Sequence, residues 1–268
     1  MSRPFILIAA AIAAVVAGIA GWYAWHQTPP PAPPVVATPA PPAVVEAPAA
    51  PAIQHPVEEA PLAVESAPAE AVPLDHSDAT MRDSLAALFT GHALPSFLRV
   101  DRIIRNIVAT VDALPRDNVS PTVIPVNPAP GRMAVGDAGG ATTIAADNAL
   151  RYAPYVDVMK AVDSKVAAGV YLKYYPLFQQ AYRELGYPNG YFNDRLVQVI
   201  DLLIATPDVQ EPIKLEQPKV VYVFADPALE ALPSGQKIML RIGHDNAAIV
   251  KAKLREFRGH IVRTPPAK

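Results

Sequence analysis

The chain contains no cysteine in its 268 residues. It therefore cannot form a disulfide bond, use a thiol as a nucleophile or bind zinc through thiolates. No two histidines are separated by three or four positions, the spacing that helical metal sites commonly use. The six histidines are His26, His55, His76, His92, His244 and His260. The sequence therefore predicts no metal centre and no cofactor.

Charge is absent from residues 5–25. A helix of this length, at about 1.5 Å per residue, would span a bilayer core of roughly 30 Å. A cleaved signal peptide is the alternative, but its apolar region usually covers about 7–15 residues and is followed by small residues. Here the apolar run ends in Trp22, Tyr23 and Trp25, side chains that favour a membrane interface. We expect residues 1–27 to form an uncleaved anchor.

Lysine and arginine are missing between Arg3 and Arg82. Because positive charge is retained on the cytoplasmic side of a membrane helix, Arg3 predicts a cytoplasmic N-terminus. The remainder of the chain would then lie on the other side. We expect a single-pass protein of a bacterial inner membrane with its C-terminal domain in the periplasm.

Residues 28–77 are predicted to be a disordered linker rich in proline and alanine. Between Thr28 and Pro73, 14 of the 46 residues are proline. Proline fixes φ and has no N–H to donate, so neither a helix nor a sheet can propagate through such a segment. An extended, solvated chain with polyproline II character is the expected structure.

The acidic and basic residues are distributed unevenly along the chain. The segment up to Asp75 carries six acids and, beyond Arg3, no base. Residues 76–268 hold 22 basic and 19 acidic residues, a difference of +3. A nucleic-acid-binding domain would carry a much stronger basic excess on one face. We therefore predict no nucleic-acid partner.

Residues 78–262 are predicted to fold as a mainly helical domain, and residues 263–268 to be a flexible tail. After Pro95, apolar residues recur at steps of three and four: Phe97, Val100, Ile104, Ile107, Val108 and Val111. This spacing is typical of one face of a helix. Ser234 is expected to cap a long final helix whose apolar stripe continues to Phe257.

A small β element is also predicted. The stretch RMAVGDAGGATTI, residues 132–144, has the composition of two short strands around a glycine-rich turn. The run KVVYVFA, residues 219–225, is rich in β-branched and aromatic residues and predicts a further strand. The expected fold is thus a mainly α domain with a hairpin near 132–144 and a strand near 219–225, preceded by a transmembrane helix and the linker.

Six of the ten tyrosines lie between Tyr171 and Tyr191. Gly186 and Pro188 would end one helix there, so most of these rings are expected to pack inside a helical hairpin. Tyr187 and Tyr191 belong to the turn of that hairpin. Together with Arg195 they form the candidate binding surface, which could recognise a glycan or an anion.

Ser234 and Lys237 provide the single enzymatic suggestion. Ser-x-x-Lys at the start of a helix is the nucleophile motif of penicillin-binding proteins, in which one helical turn brings the amine near the hydroxyl. However, the chain lacks the Ser-Asp-Asn and Lys-Thr-Gly motifs of that class. A serine that caps a helix explains Ser234 equally well. We predict that the protein is not an enzyme and retain a Ser-x-x-Lys hydrolase as the alternative.

Several segments resemble one family. They include NALRYAPYVDVMKAVD, YYPLFQQAYRELGYPNGYFNDRLVQVIDLLIATP and VYVFADPALEALPSGQKIMLRIGHDNAAIVKAKLREFR. Over roughly residues 80–262 the chain looks like the proteobacterial domain of unknown function 3014. The resemblance implies a Gram-negative envelope protein with one membrane helix and a proline-rich spacer. It implies no activity, cofactor or catalytic residue.

The expected function is that of a non-enzymatic binding module. Its partners would be the membrane, through the N-terminal helix, and an envelope protein or a cell-wall component. The alternatives are the hydrolase that uses Ser234 and Lys237, and a module that binds peptidoglycan or another anionic glycan.

Overall fold

The structure is a computed structural model that describes residues 52–57, 72–89 and 94–262. The predicted anchor (residues 1–27), most of the predicted linker and the predicted tail (residues 263–268) lie outside these described residues. Within them, no helix combines the length and the apolar character needed to cross a membrane.

The described residues form a mainly helical domain, as predicted. Its helices are α1 (Asp78–Ala86), α2 (Ile103–Ala113), α3 (Ala153–Ala161), α4 (Ser164–Lys173), α5 (Tyr175–Glu184), α6 (Phe192–Ile204), α7 (Pro227–Glu230), α8 (Ser234–Arg241) and α9 (His244–Ile261). Two short 3-10 helices cover Leu74–His76 and Ala146–Tyr152. The strands are β1 (Val135–Ala138), β2 (Ala141–Ile144), β3 (Leu215–Glu216) and β4 (Val223–Phe224).

The predicted hairpin near 132–144 is confirmed. Strands β1 and β2 pair antiparallel, with Val135 opposite Ile144. Gly139 and Gly140 form the turn with φ values of 64° and 82°, a conformation that glycine adopts without steric cost.

The predicted strand near 219–225 is shorter than expected. Only β4 is a strand, and it pairs antiparallel with β3. The two residues of β3 are too few to show a recognisable alternation, which explains why the sequence did not predict this partner strand.

The core forms around the helical hairpin of α5 and α6. Helix α2 packs against both of its helices, and α9 packs against α4 and α6. Phe192 is fully buried, and its ring stacks on Phe178 at a centroid distance of 5.8 Å and lies 5.5 Å from the ring of Tyr182. Four of the six clustered tyrosines are buried in this core: Tyr171, Tyr174, Tyr175 and Tyr182.

The end of the predicted linker packs on the domain. Leu74 is buried in the main core, and Ser77 is also buried. Arg105 of α2 pairs with the carboxylate of Asp75 at 2.8 Å. Residues 72–77, which the sequence analysis placed in the linker, therefore pack as part of the folded domain.

The prediction of one long final helix from Ser234 is wrong, because the chain forms two helices, α8 and α9, with a break at Gly243. The φ of Gly243 is 90°, a value that other residues rarely adopt. A Cβ atom at this position would lie 2.9 Å from the Cβ of Ala149. The break thus lets the backbone pass close to the 3-10 helix Ala146–Tyr152. Ser234 does not cap α8 with its side chain, because Pro233 occupies the N-cap position.

Candidate functional site

The side chains of Tyr187 and Arg195 lie near each other and are both engaged with Asp112. Nη2 of Arg195 lies 3.1 Å from Oδ1 of Asp112 and donates to its backbone carbonyl at 2.9 Å. The hydroxyl of Tyr187 lies 3.2 Å from Oδ2 of Asp112, and Arg116 forms an ion pair with the same carboxylate. Asp112 is buried, so the two guanidinium groups offset the cost of burying its charge. These contacts join α2 to the start of α6.

Tyr191 contacts a different part of the protein, the segment of residues 54–57. Its hydroxyl accepts the backbone N–H of Val57 at 2.6 Å. The carboxylate of Asp194 accepts the backbone N–H groups of Gln54 and His55 at 2.9 and 2.7 Å. Asn193 donates from its amide to the carbonyl oxygen of His55 at 2.9 Å.

The hydrogen bonds hold the segment through its backbone atoms, and the side chain of Val57 packs against the main core. In all four hydrogen bonds, a side chain of Tyr191, Asn193 or Asp194 binds a main-chain N–H or C=O group of residues 54–57. The candidate surface of Tyr187, Tyr191 and Arg195 is therefore occupied by the protein's own residues.

A second concave surface lies beside α8, and we call it the α8 cleft. Its volume is about 1100 Å³. Its lining residues come from four stretches that are distant in sequence, namely 117–124, 132–135, 151–152 and 217–223, together with Glu230 and four residues of α8. The α8 residues are Ser234, Lys237, Ile238 and Arg241.

The structure brings Ser234 and Lys237 together at the α8 cleft, but the amine of Lys237 contacts Glu230. Its Nζ lies 3.1 Å from both Oε1 and the backbone carbonyl oxygen of Glu230. Burial alone would raise the pKa of Glu230, but the N–H of Phe224 and the ammonium group of Lys237 outweigh it and hold that pKa below its usual value. A lysine that activates a serine must accept its proton. Here the amine donates to a carboxylate, so the geometry is that of an ion pair.

Three arginines give the cleft its positive charge. Within the described part of the chain, Arg132, Arg151 and Arg241 have no carboxylate within ion-pair distance. Arg151 donates to the carbonyl oxygens of residues 129–131, and the guanidinium of Arg241 lies 5.2 Å from the ring centroid of Phe224. These hydrogen-bond and ring partners are neutral, so they position the two guanidinium groups without cancelling their charge, although Arg241 also attracts the carboxylate of Glu230 beyond ion-pair distance.

Aliphatic side chains are exposed at the same cleft. Eight large hydrophobic residues are exposed among those the structure describes, and four of them line the α8 cleft. They are Val135, Val220, Val221 and Ile238. Val220 is 88% exposed and Val221 67%. Exposed apolar side chains that share one surface with polar groups around them commonly mark interaction sites.

The sequence did not reveal this cleft. Residues 219–225 were predicted to form one strand, whereas Val220 and Val221 lie in the connection that precedes β4. The sequence did carry a signal against a strand at these valines, because Pro218 and Lys219 directly precede them and are poor strand formers.

Over residues 52–57, 72–89 and 94–262, no three histidine or acidic side chains are grouped so that they could hold a metal ion.

Comparisons with known proteins identify the family. A family model described as "Protein of unknown function (DUF3014)" matches residues 103–258, which is more than half of the chain. This region runs from the start of α2 almost to the end of α9 and includes Asp112 and the whole α8 cleft. Neither a curated protein nor a solved structure matches the chain. The chain belongs to the family of proteins of unknown function numbered 3014.

Proposed function

We propose that this protein is a non-enzymatic binding module of the bacterial envelope. In this proposal, residues 1–27 anchor it in the inner membrane as a single-pass helix. The proline-rich linker presents the helical domain in the periplasm, where it binds an envelope protein or a cell-wall component.

The observation that carries the proposal is the composition of the α8 cleft. The cleft combines guanidinium groups that lack a carboxylate partner among the described residues with aliphatic side chains that face water. Keeping apolar side chains in water costs free energy, about 25 cal/mol per Å² of apolar surface. A partner that covers Val220 and Val221 and supplies negative charge would offset both the exposure and the uncompensated charge. Ligand sites are typically concave surfaces of this kind.

The hydrolase that uses Ser234 and Lys237 is the second candidate. Its support is that both side chains line the same cleft. The ion pair between Lys237 and Glu230 favours the binding module, because the amine already donates to a carboxylate. Treatment of the full-length protein with a fluorophosphonate probe separates the two. Labelling that disappears in Ser234→Ala would support the hydrolase, and the absence of labelling would support the binding module.

Site-directed photo-crosslinking in living cells tests the binding module. A photoreactive phenylalanine analogue replaces Val220 or Val221 in the full-length chain. Leu150 and Val166, which are also exposed but lie outside the cleft, provide the matched control positions. We expect adducts with the same partner, identified by mass spectrometry, from both cleft positions and from neither control. Equal adduct patterns at all four positions, or none, would contradict the proposal.

The compartment is tested independently of binding. Alkaline phosphatase, which is active only where its disulfides form, is fused to Lys268, and a fluorescent cytoplasmic reporter is fused there in parallel. We expect phosphatase activity. Fluorescence without phosphatase activity would reverse the proposed orientation and move the search for partners to the cytoplasm.

A further inference from the structure

We propose that the α8 cleft binds an extended segment of a partner protein that carries carboxylates and aliphatic side chains together. This inference rests on the proposed function and names the chemistry of the partner. It follows from three features of the cleft: its net positive charge, the N–H groups of its arginines that donate no hydrogen bond within the described residues, and the position of its exposed valines.

The charge of the cleft favours an anionic ligand. Its lining residues include the cations Arg132, Arg151, Lys237 and Arg241, and the acids Asp117 and Glu230. Lys237 and Glu230 compensate each other as an ion pair at 3.1 Å. Among the remaining charged lining residues, the three guanidinium groups outnumber the one carboxylate, that of Asp117. The cleft therefore has a net charge of +2, whereas the net charge of all residues from 76 to 268 is only +3.

The arginines differ in the donors they can offer. Arg151 uses Nε and both Nη atoms to bind the carbonyls of residues 129–131 and the side chain of Asn148, so it contributes mainly charge. Within the described residues, the guanidinium groups of Arg132 and Arg241 donate no hydrogen bond. A guanidinium group is suited to bind a carboxylate through two parallel hydrogen bonds. Arg132 and Arg241 are therefore the groups that would contact the carboxylates.

The aliphatic residues require an apolar component in the same ligand. Val135 comes from β1, Val220 and Val221 from the connection before β4, and Ile238 from α8. A free phosphate or a simple glycan would satisfy the arginines but would leave these side chains in water. Acidic residues interspersed with valine, leucine or isoleucine in an extended peptide satisfy both.

The shape of the cleft favours a peptide over a membrane surface. The exposed aliphatic residues lie on three separate elements that line one concave space of about 1100 Å³. A bilayer is planar and is contacted by residues that protrude together from one face. A peptide can enter the concave space and contact the three elements at once.

Three biotinylated peptides of eight residues test the chemistry. One alternates Glu and Val, the second alternates Gln and Val, and the third alternates Glu and Ser. Their affinity for the full-length chain, purified in detergent, is measured by biolayer interferometry. We expect the Glu/Val peptide to bind at least about ten-fold more tightly than either of the others. Its affinity should fall as salt increases, because dissolved ions shorten the distance over which exposed charges attract each other, to about 10 Å at 0.1 M.

Variants locate the binding. Arg132→Gln and Arg241→Gln should each weaken the Glu/Val peptide several-fold and leave the Gln/Val peptide unchanged. Val220→Ser and Val221→Ser should weaken both valine peptides. The matched controls, Arg183→Gln and Val166→Ser, alter exposed residues outside the cleft and should change nothing. Because Arg132 is exposed, its substitution does not endanger the fold.

Two outcomes would overturn the inference. Equal binding of the Glu/Val and Gln/Val peptides would remove the role of the carboxylates. Binding of phosphatidylglycerol vesicles, but of none of the peptides, with loss in Val220→Ser, would make the partner a membrane surface. In either case, adducts from Val220 and Val221 in cells would leave the proposed function standing. Failure of the photo-crosslinking itself would remove the proposed function as well.

Discussion

The carboxylate of Asp194, at the start of α6, accepts the backbone N–H of His55 at 2.7 Å, although 139 positions separate the two residues. The same carboxylate accepts the N–H of Gln54. A segment that the composition assigns to a disordered linker is thus bound to the domain by charge-assisted hydrogen bonds, which are stronger than neutral ones. Because Asp194 binds main-chain atoms, the side chains of residues 54 and 55 carried no sign of this contact.

Asp194→Ala should loosen residues 54 and 55 while leaving the domain folded and the contacts of Tyr191 and Asn193 with the segment in place. We expect faster amide hydrogen exchange at Gln54 and His55, measured by mass spectrometry, and a loss of about 1 kcal/mol in the free energy of unfolding. Asp157→Ala is the matched control, because it removes an exposed carboxylate that pairs only with the nearby Lys160. Unchanged exchange at Gln54 and His55 in Asp194→Ala would show that this carboxylate does not hold the segment.

Asp112 should be more important for stability than the other ion-paired carboxylates. Its side chain is 5% exposed, and it compensates both Arg116 and Arg195. Asp112→Asn would leave these two guanidinium groups without their counter-charge, so we expect the free energy of unfolding to fall by about 2–3 kcal/mol in urea denaturation.

A matched pair of carboxylates checks this explanation. Asp201 also forms an ion pair, with Arg258, but its side chain is 49% exposed. Asp201→Asn should cost less than about 1 kcal/mol, because solvent screens exposed pairs. If the two substitutions destabilised the protein equally, burial of Asp112 would not be the cause.

The parts of the fold that follow from local patterns were predictable. The apolar stripe through Ile104, Val108 and Val111 predicted α2 because its spacing is set by the helix itself, although Phe97 and Val100, assigned to the same stripe, precede the helix, which begins at Ile103. The turn at Gly139 and Gly140 likewise follows from what glycine allows. The break between α8 and α9 coincides with Gly243, whose φ is 90°, but the close approach of Ala149 to this glycine is a tertiary contact that the local sequence does not reveal.

The candidate sites were less predictable because they depend on contacts between residues that are distant along the chain. Tyr187, Tyr191 and Arg195 are close in sequence, but the structure brings only Tyr187 and Arg195 to a shared partner, Asp112, whereas Tyr191 contacts Val57. Their partners, Asp112 and residues 54–57, are distant along the chain, so the sequence could not show that these side chains are already engaged. The α8 cleft is assembled from several distant stretches, none of which resembles a known motif.

Gly243→Ala should destabilise the protein for two reasons that are specific to this position. The φ of 90° is unfavourable for alanine, and the added Cβ would lie 2.9 Å from that of Ala149. We expect the free energy of unfolding to fall by about 2 kcal/mol in chemical denaturation.

Gly259→Ala is the control for this substitution. Gly259 lies within α9, and an added Cβ there would meet no atom within 4 Å. Alanine is the better helix former, so we expect a gain of about 0.5–1 kcal/mol. A gain in both variants would mean that the break at Gly243 does not require glycine.

The ion pair between Glu230 and Lys237 should give the domain a pH-dependent contribution to stability. The pKa of Glu230 lies below its ordinary value, although burial opposes this, because the N–H of Phe224 and the ammonium of Lys237 stabilise the carboxylate. A carboxyl group with a lowered pKa in the folded state contributes stability that is present above its unfolded pKa. That contribution is lost as the pH falls through the folded pKa.

Glu230→Gln keeps an oxygen that can accept from Phe224 but removes the charge. We expect it to lower the free energy of unfolding by about 1 kcal/mol at pH 7. The difference from the unsubstituted protein should stay constant down to about pH 5 and shrink below the ordinary carboxyl pKa of 4.5. In a Lys237→Met background the same substitution should cost less, because the partner charge is gone. A difference that stayed constant down to pH 3, or an equal cost in both backgrounds, would show that the charge of Glu230 does not stabilise the fold through Lys237.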